Sequence, residues 1–238
     1  MRRSFFCALL VLALAGCGGG PAATPKVKAP QARIKVARAP VVMVLGDSYT
    51  AGIAGMPPEK TYAAEAARRL GWQLVVGGYR GTGFVAHGKI KKDFTTLYDE
   101  ELSWRPAPDL VVVSGGHNDW QKPPAQVGDA AQRLLLKIKQ RWPGTPMVVL
   151  GPMWGGDPPP AALSIRDTVQ SAAAVAQVPF IDPLQEKWIT GSVRLGTGNA
   201  PEYIRADGVH PTGAGCRYLG TRFVSALQRL GLASPFRA

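Results

Sequence analysis

The stretch VVMVLGDSYTAG, residues 41–52, runs five apolar side chains straight into a turn that holds an acid and a hydroxyl. A continuous Val/Leu/Met run without polar alternation reads as a strand buried on both faces, as parallel strands are. Asp and Ser are also common helix N-caps, so GDS at a strand-to-helix turn has an ordinary structural explanation. The rest of the chain decides between structure and chemistry. Further strand candidates fall at 73–76, 110–114, 147–150 and 179–181, after the first at 41–45. Amphipathic segments at 61–70, 125–142, 163–176 and about 212–230, with a weaker region at 94–104, predict the helices between and after them. There is no internal repeat. Alternating strands and helices predict a three-layer α/β/α sandwich around a five-stranded parallel sheet. Two loops stand apart: GPMWGGDPPP (151–160) is too rich in Pro and Gly for regular structure, and residues 190–208 are long enough to suggest a function.

In such folds ligands bind beyond the carboxyl ends of the strands. The turn after the first strand carries Asp47 and Ser48, and the turn after the second reads GGYRGTGF, with Gly81 and Gly83. The turn after the third reads GGHNDW, with Asn118, and the loop after the fifth leads to DGVHP, with Asp207 and His210. All four fall on one edge of the sheet. Each alone has a structural explanation, but the set together does not.

These blocks, GDS at 46–48, GTG at 81–83, GHND at 116–119 and DGVH at 207–210, resemble those of the SGNH hydrolases, also called GDSL-type esterases or lipases. The resemblance spans the domain from the first strand to the last helix, and implies a flavodoxin-like topology. It makes Ser48 the nucleophile. A serine hydroxyl is weakly nucleophilic at neutral pH and needs a base. His210, whose imidazole can accept and return a proton, suits that role. Asp207, three residues earlier, would bond the other ring nitrogen, and Pro211 would stiffen the first turn of the final helix. The resemblance assigns the oxyanion to the backbone N–H of Ser48, a glycine N–H of the second block, and the Asn118 amide. Gly81, which precedes Thr82, is favoured over Gly83. Asp47 and Asp119 are expected to stabilise their own turns. Many family members carry an Asn shortly before the glycine of the second block, whereas VVGGYRG has none, so that loop requires different support. His117 and His87 are each open between a place in the site and a place in a loop. No His/Cys/Asp/Glu cluster has metal-ligand spacing, and no cofactor is expected.

The N-terminus reads as an export signal: Arg2 and Arg3, then an apolar stretch from Ser4 to Ala15, too short to span a bilayer. LAGC at 14–17 resembles the bacterial lipobox, which implies cleavage before Cys17 and its lipidation, and a protein held at the outer face of the cell membrane. The expected organisation is a signal peptide (1–16), a lipid-anchored linker (17–40) and a hydrolase domain (41–238). Residues 17–40 hold five basic side chains and no acid, suited to anionic lipid headgroups or wall polymers, or to a solubilising spacer. The formal charge of +12 lies largely in the N-terminal 40 residues; setting aside their seven basic residues leaves 21 basic against 16 acidic residues from 41 onward. A basic stripe interleaved with aromatics, as nucleic-acid binding requires, is missing there. Lys89, Lys91 and Lys92 form the densest basic cluster, expected as a solvated face. Cys216, the cysteine left after Cys7 and Cys17, is expected as a buried small apolar residue.

The expected activity is hydrolysis of carboxylic esters through an acyl-enzyme, on short acyl esters including O-acetyl groups of glycans, by a monomer. Trp120 and Trp154 would either wall an acyl site or pack the loops down. The alternatives are acyl transfer, thioester hydrolysis, or a catalytically silent protein holding wall glycan.

Overall fold

In the computed structural model the described residues are 38–235. The expected signal peptide, the lipid-attachment residue Cys17 and the linker up to residue 37 lie outside them. Strand β1 (Val41–Gly46) pairs in parallel on both sides, with β2 (Gln73–Gly78) and with β3 (Leu110–Ser114). β4 (Met147–Leu150) and the two-residue β5 (Phe180–Ile181) complete an all-parallel sheet in the order β2-β1-β3-β4-β5.

The Val-rich runs form strands because both faces of the sheet are covered. Val42, Val44, Leu110, Val112, Val148 and Leu150 point into one core. Met43, Leu45, Val111, Val113, Met147 and Val149 point into the other. Full burial of each such side chain contributes about 1.5–3 kcal/mol. The first core is closed by α2 (Tyr62–Leu70) and α7 (Gly213–Arg229), and the second by α4 (Pro124–Arg141) and α5 (Pro160–Val175). The short helices are α1 (Ser48–Ala51), α3 (Phe94–Leu97) and α6 (Ala200–Tyr203).

Small departures from the expected boundaries have physical causes. β1 and β2 run on to Gly46 and Gly78, which lie side by side in the register. The weak helical region at 94–104 begins as α3, capped by the Asp93 carboxylate on the Thr96 N–H at 2.8 Å, then widens into a π turn over Tyr98–Leu102. Pro211 does not enter α7 but stands one residue before its cap, Thr212, whose hydroxyl accepts from the Gly215 N–H at 3.0 Å. Residues 38–40, expected as the end of the linker, belong to the folded unit. The Arg38 guanidinium makes two 2.6 Å bonds to the buried Asp109 carboxylate, which also accepts from the Val41 N–H at 2.8 Å.

The core on the α2/α7 side reaches the back of α1. Phe223 meets Tyr62 edge-on at 5.5 Å, and the Tyr62 hydroxyl lies 3.2 Å from the Thr50 hydroxyl. Phe223→Ala is expected to lower stability by about 3–5 kcal/mol, as large-to-small changes at closed core sites do, read from urea unfolding followed by circular dichroism.

Candidate active site

The chain reverses its direction of sheet growth at β1, and the crevice beyond the carboxyl ends of β1 and β3 is where such sheets bind ligands. A cleft of about 650 Å³ lies there, and its lining includes Ser48, Gly81, His117, Asn118 and His210. Ser48 is the first residue of α1. The N-cap Asp47 accepts from the Tyr49 N–H at 2.9 Å, as expected of a turn-stabiliser, and the Ser48 N–H is among the donors that a helix start leaves without intrahelical partners.

Ser48 Oγ is 3.1 Å from His210 Nε2, and His210 Nδ1 is 2.9 Å from Asp207 Oδ2. The other Asp207 oxygen accepts from the Val209 and His210 amides, each at 2.9 Å. Partial burial would raise the Asp207 pKa, but the amides of His210 and Val209 and the His210 ring outweigh it and hold the carboxyl below its ordinary value. An acid so held stays ionised, and it fixes the ring tautomer that leaves Nε2 free to accept a proton. The loop bearing this pair is tied to α1 by Tyr49, whose buried hydroxyl donates to the Val209 carbonyl. Nothing in the sequence marks Tyr49 as more than a core aromatic.

The two glycines of the second block occupy different environments. The Gly83 N–H donates to the Ala86 carbonyl at 2.8 Å, and a Cβ at Gly83 would lie 2.3 Å from an Asp119 oxygen. That glycine lets a carboxylate approach. Gly81 lines the cleft. Asn118 also lines it, with its side-chain amide donating to the Thr82 carbonyl at 2.9 Å.

Asp119, expected to serve its own turn, serves the neighbouring loop. Its buried carboxylate accepts from the amides of Phe84 at 2.9 Å, Val85 at 3.0 Å and Ala86 at 2.9 Å. This is the support that the missing Asn of the second block left unaccounted for. His117 is buried, with Nδ1 3.0 Å from the Met153 carbonyl, and burial pushes its pKa down to about 4. The ring is neutral over the physiological range, donates from Nδ1 and turns an edge to the cleft. His87 is exposed, in a backbone bridge with Thr82.

Trp154 packs on His117, centroids 4.5 Å apart, and Trp120 meets Trp154 edge-on at 6.0 Å. Trp154 and Gly155–Asp157 line a second groove of about 680 Å³ together with Asp207, and neither tryptophan is among the residues lining the Ser48 cleft. Lys89, exposed as expected, also lines the Ser48 cleft with Arg80. Neither carried a sequence signal beyond its charge. Cys216 is buried against Met56, and burial raises its thiol to about 11. Among the described residues no group of three or more His, Cys, Asp and Glu is placed to hold a metal, and no helix is long and apolar enough to cross a membrane.

A flavodoxin-like sheet with a Ser-His-Asp relay at its switch point defines a serine hydrolase acting on ester bonds. Residues 44–218 match the GDSL-like lipase/acylhydrolase family, and the chain belongs to that family. It is 30% identical over 194 residues to a GDSL lipase of Mycobacterium tuberculosis, covering 76% of this chain and 78% of that protein. In three dimensions it is similar to a lipase/acylhydrolase from Enterococcus faecalis (TM-score 0.63, 19% identity, 84% of this chain and 100% of that one). It is also similar to a carbohydrate acetylesterase from Sinorhizobium meliloti (0.59, 16%, 80% and 99%). A family two carbohydrate esterase from Clostridium thermocellum, solved with cellohexaose, gives 0.64 at 17% identity, over 82% of this chain and 66% of that one.

Full burial, with the Asp119 charge adding to it, raises the Asp47 carboxyl from an ordinary 3.8 to about 7. The folded protein therefore keeps a proton that the unfolded chain sheds. The stability this contributes is complete below about pH 4 and is lost as pH rises to about 7. Asn caps a helix as well as Asp does but cannot ionise. Urea midpoints from pH 4 to 8 are expected to show wild type losing stability against Asp47→Asn across that window, by up to about 4 kcal/mol.

Proposed function

We propose that the protein is an exported, lipid-anchored esterase that removes short acyl groups, acetyl foremost, from carbohydrate through an acyl-serine intermediate. The observation that carries the chemistry is the continuous chain Ser48 Oγ, His210 Nε2, His210 Nδ1, Asp207 Oδ2, with contacts of 3.1 and 2.9 Å. In this reading Ser48 Oγ attacks the ester carbonyl while its proton passes to His210 Nε2. Asp207 stabilises the imidazolium. The oxyanion is held by the N–H groups of Ser48 and Gly81 and by the Asn118 amide, each such donor being worth about 3–4 kcal/mol in the transition state. His210 then hands the proton to the departing alcohol. Water, deprotonated by the same ring, attacks the acyl-serine and releases the acid.

A short acyl group is favoured by the cleft lining, where Ile53 and Val209 are the large apolar side chains among polar ones. The carbohydrate is suggested by the esterase and acetylesterase relatives named above. Export and anchoring rest on the LAGC sequence that ends in Cys17 and on the basic residues that follow it.

Hydrolysis of p-nitrophenyl acetate, butyrate and octanoate by the full chain tests the chemistry. Acetate is expected to be the best substrate, and Ser48→Ala to lose roughly 10⁴-fold or more in kcat. Equal rates in the two proteins would refute the serine mechanism. For the anchor, cells fed an alkyne-tagged fatty acid are expected to label the wild type and not Cys17→Ser, which would also leave the detergent phase on partitioning.

A further inference from the structure

The loop after β2 that carries Gly81 is a short hairpin. Thr82 and His87 form an antiparallel bridge. One step outward Gly81 faces Gly88, close enough that a Cβ on Gly81 would lie 3.4 Å from the Gly88 Cα. Arg80 and Lys89, both exposed, follow on either side of that glycine pair. Both residues line the cleft with Ser48 and His210, and no carboxylate belongs to that lining. Two positive charges thus stand at the cleft, beside the glycine proposed to hold the oxyanion. Lys92, three residues from Lys89, has Glu100 at 2.5 Å, whereas among the described residues neither Arg80 nor Lys89 makes an ion pair. Arg80 lies beside the Tyr79 ring, 5.5 Å from its centroid, which limits the directions its guanidinium takes. It also lines a second depression of about 350 Å³, with Ile53, Pro57, Pro58 and Tyr79, so a substrate reaching beyond the cleft passes over it.

We propose that Arg80 and Lys89 form an anion-recognition subsite, and that the preferred substrate is an ester whose alcohol portion carries a carboxylate or phosphate. The inference rests on the esterase reading above and narrows it. An acetyl group has no place for a charge, so the anion belongs to the alcohol. In an acetylated glycan that is an acidic sugar or a phosphate-bearing unit. Arg offers a planar fork for two oxygens and Lys a point charge.

The test compares kcat/KM of the full chain for 3-acetoxybenzoate with its uncharged counterpart 3-acetoxybenzamide, and adds 3-acetoxyphenyl phosphate to separate the two anions. Phenyl acetate serves as the reference for turnover. The anionic esters are expected to be preferred by about tenfold at low salt, and the preference to shrink in 0.5 M NaCl. In Arg80→Gln/Lys89→Gln the ratio of charged to neutral ester is expected to approach one. Because it is a ratio within one preparation, a general loss of activity does not move it. Equal kcat/KM for the charged and neutral esters in the wild type would overturn the subsite and leave the esterase standing. So would a preference that the double substitution leaves intact. Absence of turnover with all four esters would instead overturn the esterase reading, and the subsite with it.

Discussion

A single carboxylate, that of Asp119, holds the site's loops in place. It leaves the turn after β3, crosses to the loop after β2, and accepts three consecutive amides there, from Phe84, Val85 and Ala86. A buried acid without donors would cost several kcal/mol, and three amides with no strand partner would cost comparably, so each group satisfies the other's requirement. Asn118, one residue earlier, binds the Thr82 carbonyl of the same loop. The glycine facing the cleft is thus fixed against β3, and the position of the proposed oxyanion donors follows from that pairing. Gly83 is small because the carboxylate needs the space.

The ionisable groups around the cleft are sorted by how much water each keeps. Asp47 and Asp119 are buried, and burial raises both; Asp207, exposed at the rim, is drawn down by the amides and ring it binds. His117 is held neutral by burial. Asp207 is the carboxylate that contacts the His210 ring. The two buried acids act through hydrogen-bond geometry, as a helix cap and as a loop anchor.

The architecture was legible because parallel strands buried on both faces need unbroken apolar runs, and a run such as LVVV at 110–113 has few other uses. Leu110–Ser114 and Met147–Leu150 accordingly stand where the pattern places them. The residues of the proposed relay were legible because a nucleophile, a base and an acid would each be of a particular chemical type at turns on one sheet edge. Other features depended on contacts across the fold that no local pattern encodes. Asp119 reads as a turn residue until the loop after β2 is placed beside it. Tyr49 reads as core until its hydroxyl meets the Val209 carbonyl. Lys89 reads as a solvated lysine and is exposed, but its place beside the cleft depends on the fold of the loop after β2, which no local pattern encodes. Arg38 reads as linker because its partner, Asp109, lies 71 residues away.

Ser48 and His210 are 162 residues apart in the chain, one just after the first strand and the other just before the last helix. A contact that distant carries a loop-closure cost that only the finished core offsets. During synthesis or unassisted passage through an unfolded state, the hydroxyl and the imidazole belong to opposite ends of a polymer and have no mutual chemistry. The relay closes only when α7 has docked on α2 and brought residues 207–210 over α1. Turnover therefore requires the two ends of the folded domain to be docked at once, and a chain in which either end is detached has no assembled site.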